Sequence, residues 1–145
     1  MILYLDTSAL AKKYIGEAQS ADVIALLQAA ELIGACLLTR VELPAAVAKA
    51  VRMNWLSAAD GEKAVKAFRA EWPSLLALQV TESLAARADG LAWQHGLRAY
   101  DAVHLAAALM WQEALGEPVT VATFDKQLWQ AAGAAGLVVW PALLE

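Results

Sequence analysis

Cysteine is almost missing from this chain: Cys36 is the only one in 145 residues. A disulfide framework and a thiolate metal site are therefore excluded, and a lone thiol inside an apolar run suits a reducing cytoplasm. Histidine is nearly as scarce, with only His95 and His104, so no histidine cluster is available for zinc. Long apolar runs are missing too. Charge, Gly or Pro breaks every stretch before the roughly 18 residues needed to cross a bilayer. No cationic leader precedes Ile2, and Asp6 interrupts the first apolar run before it can act as a signal-peptide core. These absences predict a soluble, cytoplasmic protein with no membrane contact.

Positive charge is in deficit, with 11 Lys and Arg against 15 Asp and Glu and a formal net charge of -4. Taken alone, this argues against an electrostatic grip on nucleic acid, which relies on clustered Lys and Arg. The objection weakens if acids are packed into one site and neutralised by a divalent metal. Lys12, Lys13, Arg40, Lys49, Arg52, Arg98 and Lys126 all fall within about two or three helical turns of such acids and could flank a substrate path.

What the chain has in quantity is apolar residues, 60% of the total. At this length that supports one globular domain over 1–145 with a substantial core. Ile2 to Leu5 reads as a buried strand stopped by Asp6-Thr7-Ser8, which is helix-start chemistry. Helices follow over Ala9 to Tyr14 and Ser20 to Ala30, then a strand over Leu32 to Leu38. Thr39 opens a helix to about Trp55, with Pro44 tolerated in its first turn. Ser57 to Trp72 is a further helix, and Leu75 to Val80 a short edge strand. Thr81 caps a helix to about Gly96, and Ala99 to Leu115 forms another. Val119 to Thr123 is a strand, Asp125 to Ala135 a helix, and Leu137 to Trp140 a last strand. Strands that alternate with helices and are apolar nearly throughout predict a parallel sheet covered on both faces.

Four acids stand where apolar runs give way to helix starts: Asp6, Glu42, Asp101 and Asp125. Singly, each has a structural explanation. Asp6 and Asp125 read as N-caps, Thr39-Arg-Val-Glu42 fits a capping box, and Asp101 lies in a helix first turn, where the macrodipole favours negative charge. Jointly they say more. Ligands of open parallel sheets bind outside the carboxyl ends of the strands, near the point where strand order reverses, and Asp6, Glu42 and Asp125 all follow strands at that end. Carboxylates gathered there repel one another unless protonated or neutralised by a cation. Oxygen-only ligation selects Mg2+ or Mn2+ over zinc. The chemistry implied is metal-assisted attack of water on phosphate.

The segments Tyr4-Leu-Asp6-Thr-Ser8-Ala-Leu, Arg40-Val-Glu42, Tyr100-Asp101-Ala-Val-His104-Leu-Ala and Thr123-Phe-Asp125-Lys-Gln-Leu, in this order, resemble the PIN-domain ribonucleases. Among these the likeness is greatest to the VapC toxins of toxin-antitoxin pairs, and it spans nearly the whole chain. The resemblance implies a three-layer α/β/α sandwich with a mainly parallel sheet, and Mg2+- or Mn2+-dependent endonucleolytic cleavage of RNA. It also implies a cognate VapB-like antitoxin and a toxin homodimer.

Carried over by position, Asp6, Glu42, Asp101 and Asp125 are the family's acidic residues. On that assignment Asp6 and Asp101 hold the metal, whose bound water has a lowered pKa. Glu42 either ligates or orients that water as general base. Asp125 acts through a second metal or through metal-bound water. Thr7 and Ser8 are open to helix-start packing or to phosphate contact, and Arg40 to a surface ion pair with Glu42 or a phosphate contact.

His104 lies one turn from Asp101 among apolar neighbours and reads as a packed or hydrogen-bonded histidine. Trp93, Trp111 and Trp129 read as core or interface anchors and Trp55 as an exposed tip. A response-receiver phosphoacceptor would need paired acids after the first strand and a lysine after the last. A haloacid-dehalogenase-like phosphatase would need an acid at position 8, where Ser8 stands. A housekeeping PIN nuclease, or a PIN fold kept as a binding module, are the remaining alternatives, the latter disfavoured by the presence of all four acids.

Overall fold

The computed structural model describes residues 1–145. Five strands, β1 (Ile2–Leu5), β2 (Leu32–Cys36), β3 (Leu76–Leu78), β4 (Val119–Ala122) and β5 (Val138–Trp140), form one sheet in the order β3-β2-β1-β4-β5. All pairings are parallel. Seven helices join them: α1 (Thr7–Tyr14), α2 (Ser20–Ala29), α3 (Thr39–Arg52), α4 (Ala58–Glu71), α5 (Glu82–His95), α6 (Ala99–Leu115) and α7 (Lys126–Ala134). The expected α/β/α sandwich is what forms, with β3 on an edge as its short run suggests.

The pleat of β1 sorts the two cores, because successive strand side chains point to opposite faces. Tyr4 packs with apolar residues of α5, α6 and α7, such as Leu91, Leu105 and Leu128. Leu3 and Leu5 pack on the other side with Leu10, Leu26, Leu43, Val47 and Phe68 from α1 to α4. β1 is central, and its neighbours β2 and β4 carry the chain away in opposite directions. The order therefore reverses at β1, and the crevice above it is the switch point that the sheet provides for a ligand.

Local chemistry sets most of the helix ends. Ser57 and Thr81 cap α4 and α5 by accepting from the backbone N–H groups of Asp60 and Leu84, each at 3.1 Å. Gly96 and Gly116 close α5 and α6 in the left-handed region, at φ 64° and 68°. Four expected boundaries move by two residues or more, and β3 is one of them, ending at Leu78 rather than Val80. β2 stops at Cys36 because Leu38 already has helical backbone angles at the start of α3. α3 ends at Arg52 rather than Trp55, where Asn54 turns the chain at φ 59°. α1 starts two residues early, at Thr7.

Among the tryptophans, Trp111 is buried over Gly34 of β2, whereas Trp93 is 92% exposed and contributes nothing to the core. Trp55 is exposed at the α3–α4 tip as its position suggests. No helix is long and apolar enough to cross a membrane.

Candidate active site

The four acids meet at the carboxyl edge of the sheet. Asp6 extends β1 by one ladder bond, its N–H donating to the Ala122 carbonyl at 3.0 Å. It occupies the N-cap position of α1, yet its side chain makes no capping bond, contrary to its reading as a cap. Asp6 Oδ2 instead accepts from the hydroxyls of Ser8 at 2.7 Å and Thr123 at 2.8 Å. Those hydroxyls are themselves fixed by the chain beyond β4: Ser8 Oγ accepts from the Phe124 N–H, and Thr123 Oγ1 from the Asp125 N–H. Two short side chains thereby lock one carboxylate oxygen and leave Oδ1 without a protein hydrogen bond.

Glu42 also departs from its capping reading. The helix begins at Thr39 with Leu38 in the cap position and no side-chain cap bond, so the box never closes. Glu42 Oε1 accepts from Thr7 Oγ1 at 2.9 Å and from His104 Nε2 at 2.7 Å. Since the Thr7 hydroxyl hydrogen is given to Glu42, the buried Thr39 hydroxyl 3.0 Å away donates to Thr7. Arg40 has no acid within ion-pairing distance, so the surface pair with Glu42 does not form. Glu42 is turned inward to the histidine instead.

Asp101, only 8% exposed, enters from the first turn of α6. Arg98, one turn earlier, lays its guanidinium across two acids, Nε donating to Asp101 Oδ2 at 3.2 Å and Nη2 to Asp125 Oδ2 at 2.8 Å. Asp125 keeps its expected cap as well, Oδ1 accepting from the Leu128 N–H at 3.0 Å. Elsewhere, Lys12 pairs with Glu17 at 3.4 Å and lies over the Phe124 ring, and Lys13 pairs with Glu71, so both are already engaged.

His104 is the centre of the cluster. Its ring is 1% exposed, its Nε2 also faces Asp6 Oδ1 at 3.5 Å, and its Nδ1 lies 2.6 Å from the Tyr4 hydroxyl. Reading it as hydrogen-bonded was right, but its partners are the site's own acids. The signal available in the sequence was its one-turn spacing from Asp101. Tyr4, Thr39 and Arg98 were missed as well. Tyr4 is visible in sequence only as an apolar strand position, and Arg98 only as a cation near an acid.

The electrostatics record crowded negative charge. Burial pushes the Asp101 carboxyl above its usual value and the charges of Asp125 and Asp6 add to that, while Arg98 opposes it. For Glu42, burial acts upward, but the hydrogen bond and charge of His104, with the Thr7 bond, win and leave it below the usual range. For His104, burial favours the neutral ring, yet Glu42, Asp6 and Asp101 together raise its pKa. Burial holds the Tyr4 phenol well above its ordinary value, so it stays protonated.

As the side chains stand, no three acids or histidines converge in metal-ligating geometry. They are partnered in pairs, Asp6 and Glu42 through His104, and Asp101 and Asp125 through Arg98. The donor set still fits a hard divalent cation. Asp101 Oδ1 and Glu42 Oε2 accept no hydrogen bond from protein, and Asp6 Oδ1 has only the long approach of His104. Oxygen ligands of this kind, short of counter-charge, suit Mg2+ or Mn2+.

Comparison with known proteins bears on this arrangement. Residues 3–134 match the PIN domain family model. The chain is 34% identical over 145 residues to ribonuclease VapC45 of Mycobacterium tuberculosis strain CDC 1551, covering 99% of this chain and 98% of that protein. Its fold is similar to that of a toxin-antitoxin complex from Klebsiella pneumoniae, with a TM-score of 0.67 at 18% identity over the full length of both chains. It is similar also to VapC20 of Mycobacterium tuberculosis, described as a toxin that cleaves the sarcin-ricin loop, with a TM-score of 0.66 at 18% identity over 99% of each chain. The two structures speak for the fold, and the family match and the mycobacterial relative speak for descent: this chain belongs to the PIN-domain family and is of the VapC type.

Proposed function

We propose that this protein is a divalent-metal-dependent endoribonuclease and the toxin of a toxin-antitoxin pair. The observation that carries the reading is the gathering of Asp6, Glu42, Asp101 and Asp125 at the switch point of the sheet, Asp6 just past β1, Glu42 from the first turn of α3, Asp101 from that of α6 and Asp125 at the N-cap of α7. RNA as the substrate is supported by the ribonuclease name of the mycobacterial relative. An antitoxin partner is supported by the Klebsiella neighbour, solved as a toxin-antitoxin complex. A homodimer in the cytoplasm, with Cys36 buried and unpaired, completes the picture.

Asp6 and Asp101 are the residues that would hold Mg2+ or Mn2+, through the carboxylate oxygens that the protein's own hydrogen bonds leave open. When bound, the ion neutralises phosphate charge and lowers the pKa of water. Glu42 is anchored at Oε1 and presents Oε2, the oxygen suited to take a proton from the attacking water. Asp125, tied to the N-terminus of α7, contributes at longer range. Thr7 and Ser8 hold Glu42 and Asp6 with their hydroxyl hydrogens, so their substrate contacts would run through backbone N–H groups at the start of α1. Arg40, free of any acid, remains available to phosphate.

The test is cleavage by purified protein of structured and unstructured RNAs with Mg2+ or Mn2+, with EDTA and Asp101→Asn as controls. Cleavage by the wild type alone, abolished by EDTA, is expected. Equal cleavage by both proteins would remove the acid cluster from the mechanism.

A further inference from the structure

The buried pair Tyr4 and His104 is not used by the mechanism above, although it lies against two of its acids. Tyr4 belongs to the central strand and His104 to α6, 100 residues apart in sequence. Their contact crosses the core from the sheet to the helix layer.

The hydrogen-bond chemistry of the ring has one consistent solution. Nε2 faces Glu42 Oε1 at 2.7 Å and Asp6 Oδ1 at 3.5 Å, both acceptors when ionised. A bare lone pair on Nε2 would repel both, so Nε2 carries the hydrogen. In the neutral ring Nδ1 is then an acceptor, and the Tyr4 hydroxyl, 2.6 Å away, donates to it. In the charged ring both nitrogens donate and the Tyr4 oxygen accepts. Either way Nε2 delivers a hydrogen to Glu42. Neither nitrogen offers a free lone pair, and with 1% exposure the ring reaches neither metal nor RNA. Of the two acids it faces, Glu42 makes the hydrogen bond and Asp6 only the longer approach, so its influence passes chiefly through Glu42.

We propose that Tyr4 and His104 form a positioning pair. Tyr4 fixes the orientation of the imidazole, and Nε2–H together with the Thr7 hydroxyl clamps Glu42 Oε1, so that Oε2 alone is presented to the crevice. The inference rests on the reading of Glu42 as a working acid of the nuclease. A rigid support behind a reacting carboxylate matters because small misplacement costs rate. Removing an outer partner of this kind typically costs about 10- to 100-fold in activity or metal affinity.

The test uses the full chain with Tyr4→Phe, His104→Leu, His104→Gln and Glu42→Gln, singly and as doubles with Glu42→Gln. His104→Leu is expected to lower kcat by about 10- to 100-fold, with KM for a single-stranded RNA nearly unchanged. His104→Gln, whose amide still donates, should recover part of that loss, and Tyr4→Phe should lie between. In the Glu42→Gln background neither substitution should lower kcat further, because the group they position has gone. Losses that add in full to that of Glu42→Gln, or that simply follow the melting temperature, would reduce the pair to packing and overturn the inference.

A readout without RNA separates this from failure of the proposed activity. Imidazole 15N spectra of the metal-free wild type should show His104 protonated at Nε2, with the signal displaced by Glu42→Gln and broadened by Tyr4→Phe. If the wild type cuts no RNA but the ring behaves so, the clamp stands and the nuclease reading falls. A ring protonated at Nδ1 alone would sink the clamp whatever the activity.

Discussion

Arg98 donates from Nη2 to Asp125 Oδ2 at 2.8 Å while remaining 72% exposed at its side chain. Since the same guanidinium also holds Asp101, it supplies from within the chain some of the positive charge that a metal would bring. Arg98→Gln should therefore bind Mn2+ more tightly than wild type, by about three- to tenfold. Calorimetric titration with Mn2+ measures this directly. Weaker binding by the variant would mean that Arg98 organises the acids for metal rather than competing with it.

Gly34 is the close-approach point of the sheet. A Cβ built there would lie 2.7 Å from Cη2 of the buried Trp111 indole. Gly34→Ala improves strand propensity but overpacks α6 against β2, and destabilisation by about 1–3 kcal/mol is expected. Urea unfolding measures it. A variant as stable as wild type would mean that Trp111 has room to retreat.

Asp101→Asn removes a buried charge that its surroundings disfavour, since burial and the neighbouring acids already raise its carboxyl pKa. Without metal the variant should melt at a higher temperature than wild type near neutral pH, and should lose most of the stabilisation that Mg2+ gives. Paired melting curves with Mg2+ and with EDTA check both halves.

The pH response of the metal-free protein follows from His104. Its pKa is raised in the folded state by Glu42, Asp6 and Asp101 against the effect of burial. Folding therefore favours the charged ring, and the stability it contributes is complete below about pH 6.5, the unfolded value. That contribution is lost as pH rises through the folded pKa. Glu42 has the opposite sign, its contribution disappearing only in acid, as pH falls through its lowered pKa. In EDTA the melting temperature should decline above about pH 6.5, and His104→Gln should flatten that decline. An unchanged slope in the variant would assign the dependence to other groups.

Much of the fold was legible because its signals are local. The apolar run of β1, the cap at Thr81 and the glycine ending α5 each act within a few residues, and the structure keeps them. The sequence also carried the four acids and their meeting at the sheet edge. Their partners were less legible, because those partners are tertiary. Glu42 fits a capping box by spacing, but Leu38 starts the helix early and His104, 62 residues away, takes the side chain. Tyr4 looks like any core aromatic until α6 places a ring nitrogen against its hydroxyl. Trp93 shares its residue type with Trp111, yet it falls on the outer face of α5, a distinction that composition cannot make.

The register of β1 has a consequence for how the molecule comes into being. Ile2 to Leu5 must wait for Val119 to Ala122 before its second ladder can form, and pairings so distant in sequence close slowly. A growing chain that has reached only Gly116 contains Asp6, Glu42 and Asp101 but neither Thr123, which locks Asp6, nor Asp125. The cluster is thus assembled late in synthesis, only once β4 and the start of α7 have been made.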